Sequence, residues 1–194
     1  DPSPKVRAAA ATTLAYLDDA EDIVAHLVEA VEDRDPTVRR QVVLALGQLG
    51  KKYPEAMDAL IWAIDDADKY VAMNALIAVR QMGPDAEIGV PALLKALADT
   101  RPMVRQTAIG ALGTVAVGNK DAIKALKKLT TDANRNVRLT AVRALGKIGR
   151  KDKAAVRAVA EALTDIDRLV RGTAADALRD GGPHIRVATP FLIQ

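Results

Sequence analysis

Few residues in this chain have the types and spacing that chemistry at a single site requires. The two histidines, His26 and His184, lie far apart and neither is followed by glutamate, so a histidine and carboxylate metal site has no ligands. Paired carboxylates such as Asp65-Asp66 lie where helices are predicted to turn, without the apolar surroundings that raise a carboxyl pKa for acid–base catalysis. We therefore expect no catalytic residue, no metal and no cofactor, and we predict that the chain is not an enzyme.

The composition excludes further classes of site. The 194 residues include no cysteine, which removes disulfides, thiolate ligands and thiol nucleophiles and makes the cytoplasm the expected compartment. Gly110 to Gly113 falls within a predicted helix, so it does not form a phosphate-binding loop. No apolar run reaches the roughly 18 residues that cross a bilayer, and we expect no membrane partner.

A regular repeat organises the sequence that must position any site. A valine, followed by arginine in five of six copies, recurs at intervals of 32 or 33 residues: Val6, Val38, Val71, Val104, Val137 and Val170. Each valine begins an apolar pattern, complete from Val137 to Ile148, that occupies one face of a helix with 3.6 residues per turn. Alternation with a period of two is absent, so strands are not expected. Self-similarity with this period predicts a stack of helical units.

Helix start and stop signals flank the copies. Good N-cap residues stand three positions before the valine at Ser3, Asp35, Asp68, Asn134 and Asp167. Glycine follows the periodic residues, as a left-handed C′ position prefers, at Gly50, Gly83, Gly149 and Gly181. We expect these inner helices near residues 4–17, 36–49, 69–82, 102–117, 135–148 and 168–180. A second amphipathic segment, such as Ile23 to Val31, lies between successive inner helices, so each unit is a pair of antiparallel helices.

Signature residues identify the type of repeat. An aspartate stands five positions before each valine: Asp1, Asp33, Asp66, Asp99, Asp132 and Asp165. The Asp-then-Val-Arg arrangement, followed by Ala, Ala-Leu-Gly and Ile-Gly as in Val137 to Gly149, resembles HEAT repeats over essentially the whole chain. It is most similar to the short, phycobilisome-lyase-type repeats of the armadillo-like superfamily. The resemblance implies an all-α fold, a right-handed α–α superhelix (α-solenoid) of about six helical hairpins, with residues 1–194 forming a single domain. The chain starts at a turn into an inner helix and stops where a further helix has barely begun, so we expect it to be a portion of a longer protein.

We expect several side chains to have structural rather than functional roles. The repeated aspartates can accept backbone hydrogen bonds in the turns and pair with the arginines. Ala72 interrupts the row of arginines in the third copy. We expect His26 to be partly buried on an outer helix. We expect Trp62 to pack at the rim of the outer helices, and the alternative is that it is exposed on the convex face.

The candidate binding residues lie on the inner helices, which by the resemblance line the concave side. Positions 2, 3, 6 and 10 after each valine point away from the apolar stripe and vary freely between copies. From these positions we predict the following partner-binding residues: Arg40, Gln41, Leu44, Gln48, Met73, Asn74, Ile77, Gln81, Gln106, Thr107, Arg143 and Lys147. Leu44, Met73 and Ile77 would form an apolar patch rimmed by amides, which is the composition of a protein-binding surface. The alternative is that they pack between adjacent inner helices.

Three functions remain open at this point. The first is a protein–protein interaction scaffold that holds a protein or peptide in its concave groove. The second is nucleic-acid binding through residues 119–157, which include twelve basic and three acidic residues. It is disfavoured because this segment has no aromatic residue that could stack on a nucleobase. The third, from the resemblance alone, is a non-catalytic or lyase-type subunit that acts on a chromophore-bearing protein. The oligomeric state stays open.

Overall fold

The computed structural model is helical throughout the residues that it describes, which are 1–17, 21–50, 52–149, 152–179, 186 and 189–192. No strand occurs among them, so the all-α prediction is confirmed. The chain divides into two compact units, residues 1–92 and 93–194, and the boundary falls within a short helix. Each unit is treated by itself below.

Six inner helices begin where the valine repeat predicts. They are α1 (Pro4–Leu14), α3 (Pro36–Leu49), α5 (Lys69–Met82), α7 (Pro102–Val115), α9 (Arg135–Ile148) and α11 (Arg168–Arg179). Two of them end earlier than expected. In α1 the backbone turns after Leu14, where the Tyr16 N–H donates to Thr13. In α7 the last residue is Val115 because Ala116 leaves the helical conformation, with φ −101° and ψ 40°.

The second amphipathic segments form the outer helices. They are α2 (Glu21–Ala30), α4 (Pro54–Ala63), α6 (Val90–Ala96), α8 (Lys120–Leu129) and α10 (Lys153–Glu161), followed near the end of the chain by α12 (Thr189–Leu192). The third of these, α6, is short because a 3-10 segment, Gly83–Gly89, precedes it. Another 3-10 turn, Ala162–Thr164, follows α10.

The core of the first unit lies between its inner and outer helices. Helix α3 packs between α1 and α5, while α2 and α4 pack against it and against each other. The repeat valines Val38 and Val71 are buried here, together with Leu46, Leu60 and Leu76. Each such side chain contributes about 1.5–3 kcal/mol when it leaves water, so the apolar stripe accounts for the stacking of the hairpins.

The second unit repeats this arrangement with α9 between α7 and α11, and with α8 and α10 against α9. Glycine sets how closely its inner helices approach. A Cβ atom on Gly146 would lie 2.7 Å from the Cβ of Ala177, and one on Gly113 would lie 3.0 Å from the Cβ of Ala144. Gly47 has the same relation to Ala78 in the first unit, at 2.8 Å. These glycines, nine positions after the repeat valine, are needed because any side chain would push the helices apart.

The predicted caps are correct in part. Side chains of Asp35, Asp68, Asn134 and Asp167 accept hydrogen bonds from the first backbone N–H groups of their helices. Ser3 does not cap α1, because its side chain makes no cap hydrogen bond and its backbone N–H donates to the Asp1 carboxylate instead.

The C-terminal glycines differ from the prediction. Only Gly83, at φ 69°, is left-handed among those described. Gly50 and Gly149 have φ values of −62° and −102°, so the prediction is wrong there. Gly149 is required for space, since a Cβ there would collide with the Cβ of Ala155 and the backbone carbonyl of Leu145, whereas a Cβ at Gly50 would meet the flexible end of the Met82 side chain. Gly181 lies outside the described residues.

The arginine that follows a repeat valine joins two successive copies. Arg138 donates from Nε and Nη2 to the carboxylate of Asp165, one copy further along, at 2.8 and 3.1 Å. Its Nη1 donates to the backbone carbonyl of Asp132 in its own copy, at 3.0 Å. The same pairing joins Arg7 to Asp33, Arg39 to Asp66 and Arg105 to Asp132. The expected structural role of these rows is confirmed, and the term "ladder" refers below to these pairs.

The third copy, in which Ala72 replaces the arginine, departs from the ladder. Asp99 accepts hydrogen bonds from Nε and Nη2 of Arg101, only two residues further along, at 2.9 and 2.7 Å. This hydrogen bonding is the main cause that lowers the pKa of Asp99. Arg101 occupies the N-cap position of α7 and makes no side-chain cap there, because a guanidinium group has no acceptor for a backbone N–H.

Candidate partner-binding surfaces

The first unit exposes aliphatic side chains on its inner helices. Leu44 on α3 and Ile77 on α5 stand six positions after their repeat valines and are 44% and 38% exposed. Gln48 and Gln81, one turn further along each helix, are also exposed. Because α3 and α5 pack side by side, these residues belong to one surface. We call it the amide–aliphatic face, and its members are Arg40, Gln41, Leu44, Gln48, Met73, Asn74, Ile77 and Gln81.

Four members of the face have intermediate exposure: Arg40, Gln41, Met73 and Asn74. The Oε1 atom of Gln41 lies 3.2 Å from the hydroxyl of Thr12 on α1, so this amide also contacts the preceding inner helix. The predicted patch of Leu44, Met73 and Ile77 required an exposed Met73, but this side chain is only partly exposed.

Arg40 is held at the edge of the face by an ion pair. Its Nε and Nη2 donate to the two carboxylate oxygens of Asp68 at 3.0 and 2.7 Å, and its guanidinium lies 4.5 Å from the centre of the Tyr70 ring. The pKa of Asp68 is lowered to about 2, mainly by the hydrogen bonds from Arg40 and in part by the two backbone N–H groups that Asp68 caps. Arg40 is thus pre-oriented rather than free to adapt to a ligand.

The second unit places its predicted residues in two positions. Gln106 and Thr107 lie on α7 with intermediate exposure, and the Thr107 hydroxyl donates to the backbone carbonyl of Met103 at 2.8 Å. Arg143 and Lys147 are exposed on α9, one helical turn apart.

A pocket of about 280 Å³ lies between α9 and α11 beside those two cations. We call it the basic pocket, and it is lined by Arg143, Gly146, Lys147, Thr173, Asp176, Ala177 and Arg179. Of the residues that line it, the predicted site set contained only Arg143 and Lys147, and Arg179 is a cation that it missed. It occupies the position at which α3, α7 and α9 have glycine, and a long cationic side chain there was the signal that could have revealed it.

A pocket of about 580 Å³ in the first unit lies beside Trp62 at the turns that lead into α3 and α5. Four carboxylates and two guanidinium groups line it: Glu32, Asp33, Asp65 and Asp66 with Arg34 and Arg39. Trp62 is 51% exposed, so the expectation that it packs at a rim is wrong. The reason is local: Leu60, Ala63 and Ile64 take the buried face of the segment, and the indole lies on the opposite side.

His26 is exposed, contrary to the expectation of partial burial. Its Nδ1 lies 2.6 Å from the carbonyl of Asp22, one turn earlier in α2, so the ring turns along its own helix. His184 lies outside the described residues. Within the described part of the chain, no group of three or more histidine, aspartate or glutamate side chains is placed to hold a metal ion. No described helix is long and apolar enough to span a membrane.

Comparison with known proteins gives one family. The family model described as HEAT repeats matches residues 1–80 and 90–179. A comparison with curated proteins gave no match.

Solved structures resemble the chain over most of its length. An engineered protein is 25% identical, with a TM-score of 0.64 over 97% of this chain and 93% of that one. A designed armadillo repeat protein in complex with the peptide (KR)4 is 19% identical, with a TM-score of 0.63 over 90% and 91%. The complex of CpcE and CpcF of phycocyanin lyase from Nostoc sp. PCC7120 is 20% identical, with a TM-score of 0.63 over 80% and 98%.

Proposed function

The chain belongs to the HEAT-repeat family, and from this premise we propose that it is a scaffold that binds a protein or peptide partner through the exposed faces of its inner helices. The observation that carries the proposal is the exposure of Leu44 and Ile77 at equivalent positions of two packed helices. Apolar surface in water is stabilised when a partner covers it. The side-chain amides around these two residues can form hydrogen bonds with the backbone N–H and C=O groups of a bound peptide.

Two of the solved structures of the same fold support this proposal. One designed armadillo repeat protein is in complex with a peptide, and the phycocyanin lyase structure is a complex of two proteins. The proposed binding residues are those of the amide–aliphatic face in the first unit and Gln106, Thr107, Arg143 and Lys147 in the second. The predicted role as a non-catalytic scaffold follows from this function, since binding on such faces requires no reactive group.

The direct test is a selection of peptides from a random display library on the immobilised chain. Substituting both Leu44→Asp and Ile77→Asp would place two charges in the centre of the face. We expect the selected peptides to bind this variant at least about tenfold more weakly, because a desolvated apolar contact at the centre of an interface contributes about 1–2 kcal/mol or more.

The matched control is Ile88→Asp, which changes another aliphatic residue of the same unit that is 67% exposed. This control should bind the selected peptides as the wild-type chain does. Circular dichroism of all three proteins checks that helical content is unchanged. Equal binding by the face variant and the wild-type chain would refute the proposal for this face.

Nucleic-acid binding is a second candidate because α8 presents a row of exposed lysines: Lys120, Lys124, Lys127 and Lys128. Such a helix can neutralise phosphates without reading bases. The second unit has one aromatic residue, Phe191, which leaves little for stacking on single strands. A mobility shift with duplex DNA that weakens steeply as salt rises, and that is lost in Lys124→Gln/Lys128→Gln, would favour this candidate.

A further inference from the structure

Two cations at the basic pocket are available to a ligand. Arg143 and Lys147 are exposed, and neither has a hydrogen bond or an ion pair with another described residue. Other arginines of the second unit are engaged: Arg138 pairs with Asp165, and Arg135 with Asp167. Since both side chains line the same pocket, their charges converge on one small volume.

The remaining walls of the pocket suit a compact acidic group. The close approach of Gly146 and Ala177 brings α9 and α11 together at this pocket. Thr173 adds a hydroxyl that has no hydrogen bond to another described residue. Arg179 lies 3.6 Å from Asp176 in a pair whose side chains are 76% and 73% exposed, and such an exposed pair is easily exchanged for a ligand.

The chemistry of these walls distinguishes between anionic partners. A guanidinium presents two parallel N–H groups that match a carboxylate. A volume of about 280 Å³ admits an acidic side chain. A nucleic-acid strand would find no aromatic side chain lining this pocket on which to stack a base.

We propose that the basic pocket binds the carboxylates of an acidic segment of a partner protein, with Arg143 and Lys147 as the principal contacts and Thr173 and Arg179 beside them. This inference rests on the proposed scaffold function and adds the chemical class of the partner at the second unit. The occupant is an aspartate- or glutamate-rich peptide segment.

The test measures the fluorescence anisotropy of a fluorescein-labelled hexaglutamate peptide titrated with the full chain. The variant Arg143→Gln/Lys147→Gln removes both cations and keeps uncharged polar side chains at the two positions. We expect it to bind the peptide about tenfold more weakly than the wild-type chain at low salt, with the difference shrinking as salt screens the charges.

The matched control is Lys124→Gln/Lys128→Gln, which also removes two exposed cations one helical turn apart in the same unit. It should bind hexaglutamate within about twofold of the wild-type chain, because these two lysines lie on α8 and do not line the pocket. An equal loss in both variants would overturn the inference, since the peptide would then respond only to net charge. So would a duplex DNA that displaces the peptide and loses affinity in the pocket variant, since the occupant would then be nucleic acid.

The variant Leu44→Asp/Ile77→Asp separates this inference from the proposed function. One outcome is that the library-selected peptides lose affinity for the face variant while hexaglutamate binds Arg143→Gln/Lys147→Gln as tightly as the wild-type chain. In that case the scaffold function stands and the acidic partner is refuted. If hexaglutamate needs Arg143 and Lys147 while the face variant keeps all binding of the selected peptides, the pocket stands and the face is refuted.

Discussion

Arg138 donates two hydrogen bonds to the carboxylate of Asp165 although the two residues are 27 positions apart in the sequence. Both side chains are about nine-tenths buried. The hydrogen bonds from Arg138 are also the main cause that lowers the pKa of Asp165. Buried guanidinium and carboxylate groups stabilise a fold only as a pair, because either one alone would be a charge without its counter-ion in a poorly hydrated place.

Replacement of Asp165 by alanine should therefore destabilise the chain strongly. We expect Asp165→Ala to lower the free energy of unfolding by about 3 kcal/mol, measured by urea denaturation followed by circular dichroism. Asp176→Ala removes a carboxylate from an exposed pair and should cost no more than about 0.5 kcal/mol. Similar small losses in both variants would mean that the ladder has no stabilising role.

Acid should weaken the fold through Asp68. Its pKa is about 2 in the folded chain and 3.8 ordinarily, so the unfolded chain takes up the proton first as the pH falls. The stabilisation is complete above about pH 4 and is lost as the pH decreases towards 2. Asp68→Asn removes this titration, so its unfolding free energy should fall less steeply over that interval than that of the wild-type chain. Parallel pH profiles for the two proteins would contradict the assignment.

The same pair predicts a shift that can be measured at one residue. Arg40→Gln removes the hydrogen bonds that are the largest cause of the low pKa of Asp68. We expect the pKa of Asp68 to rise towards its ordinary value, followed by the carbon-13 shift of its carboxyl carbon during a pH titration. Asp33, whose pKa is lowered mainly by Arg7, serves as the internal control and should titrate as before.

Gly146 should tolerate no side chain while Ala177 faces it. In Gly146→Ala the new methyl group would lie 2.7 Å from the Cβ of Ala177, and overpacking of this kind costs about 1–3 kcal/mol. The double variant Gly146→Ala/Ala177→Gly vacates that space and should recover most of the loss. Gly172→Ala, where nothing lies within 4 Å of the new methyl group, should instead stabilise α11 by about 1 kcal/mol. Thermal unfolding of the three variants tests this order of stability.

Trp62 is the single tryptophan of the chain, so its fluorescence reports on the cavity beside it. An indole that is 51% exposed should emit at long wavelength and be quenched efficiently by acrylamide. The carboxylates around it should make caesium a better quencher than iodide, because they attract cations and repel anions. Glu32→Gln removes one of these negative charges, so caesium and iodide should quench the fluorescence of this variant with more similar efficiency. Blue-shifted emission protected from all three quenchers would show that the indole is covered.

The valine repeat was sufficient to predict the helices. Positions such as Val137, Ala141 and Leu145 share one face of a helix whatever surrounds it, so a local pattern specifies both the helix and its buried side. Start signals were reliable for the same reason, since Asp35 caps the helix that begins directly after it. Gly50, Gly83 and Gly149 were assigned correctly as helix ends, but the local pattern could not show that a Cβ at Gly149 would collide with Ala155.

Tertiary structure decided everything that depends on a neighbouring helix. The partner of Arg138 is the aspartate of the following copy, 27 residues away, and the partner of Arg40 is Asp68. The exposure of Trp62 and the contribution of Arg179 to the basic pocket depend on the packing of several helices at once. A local periodicity specifies which side of each helix is buried, but the distance between two side chains on different helices is set only when the helices pack.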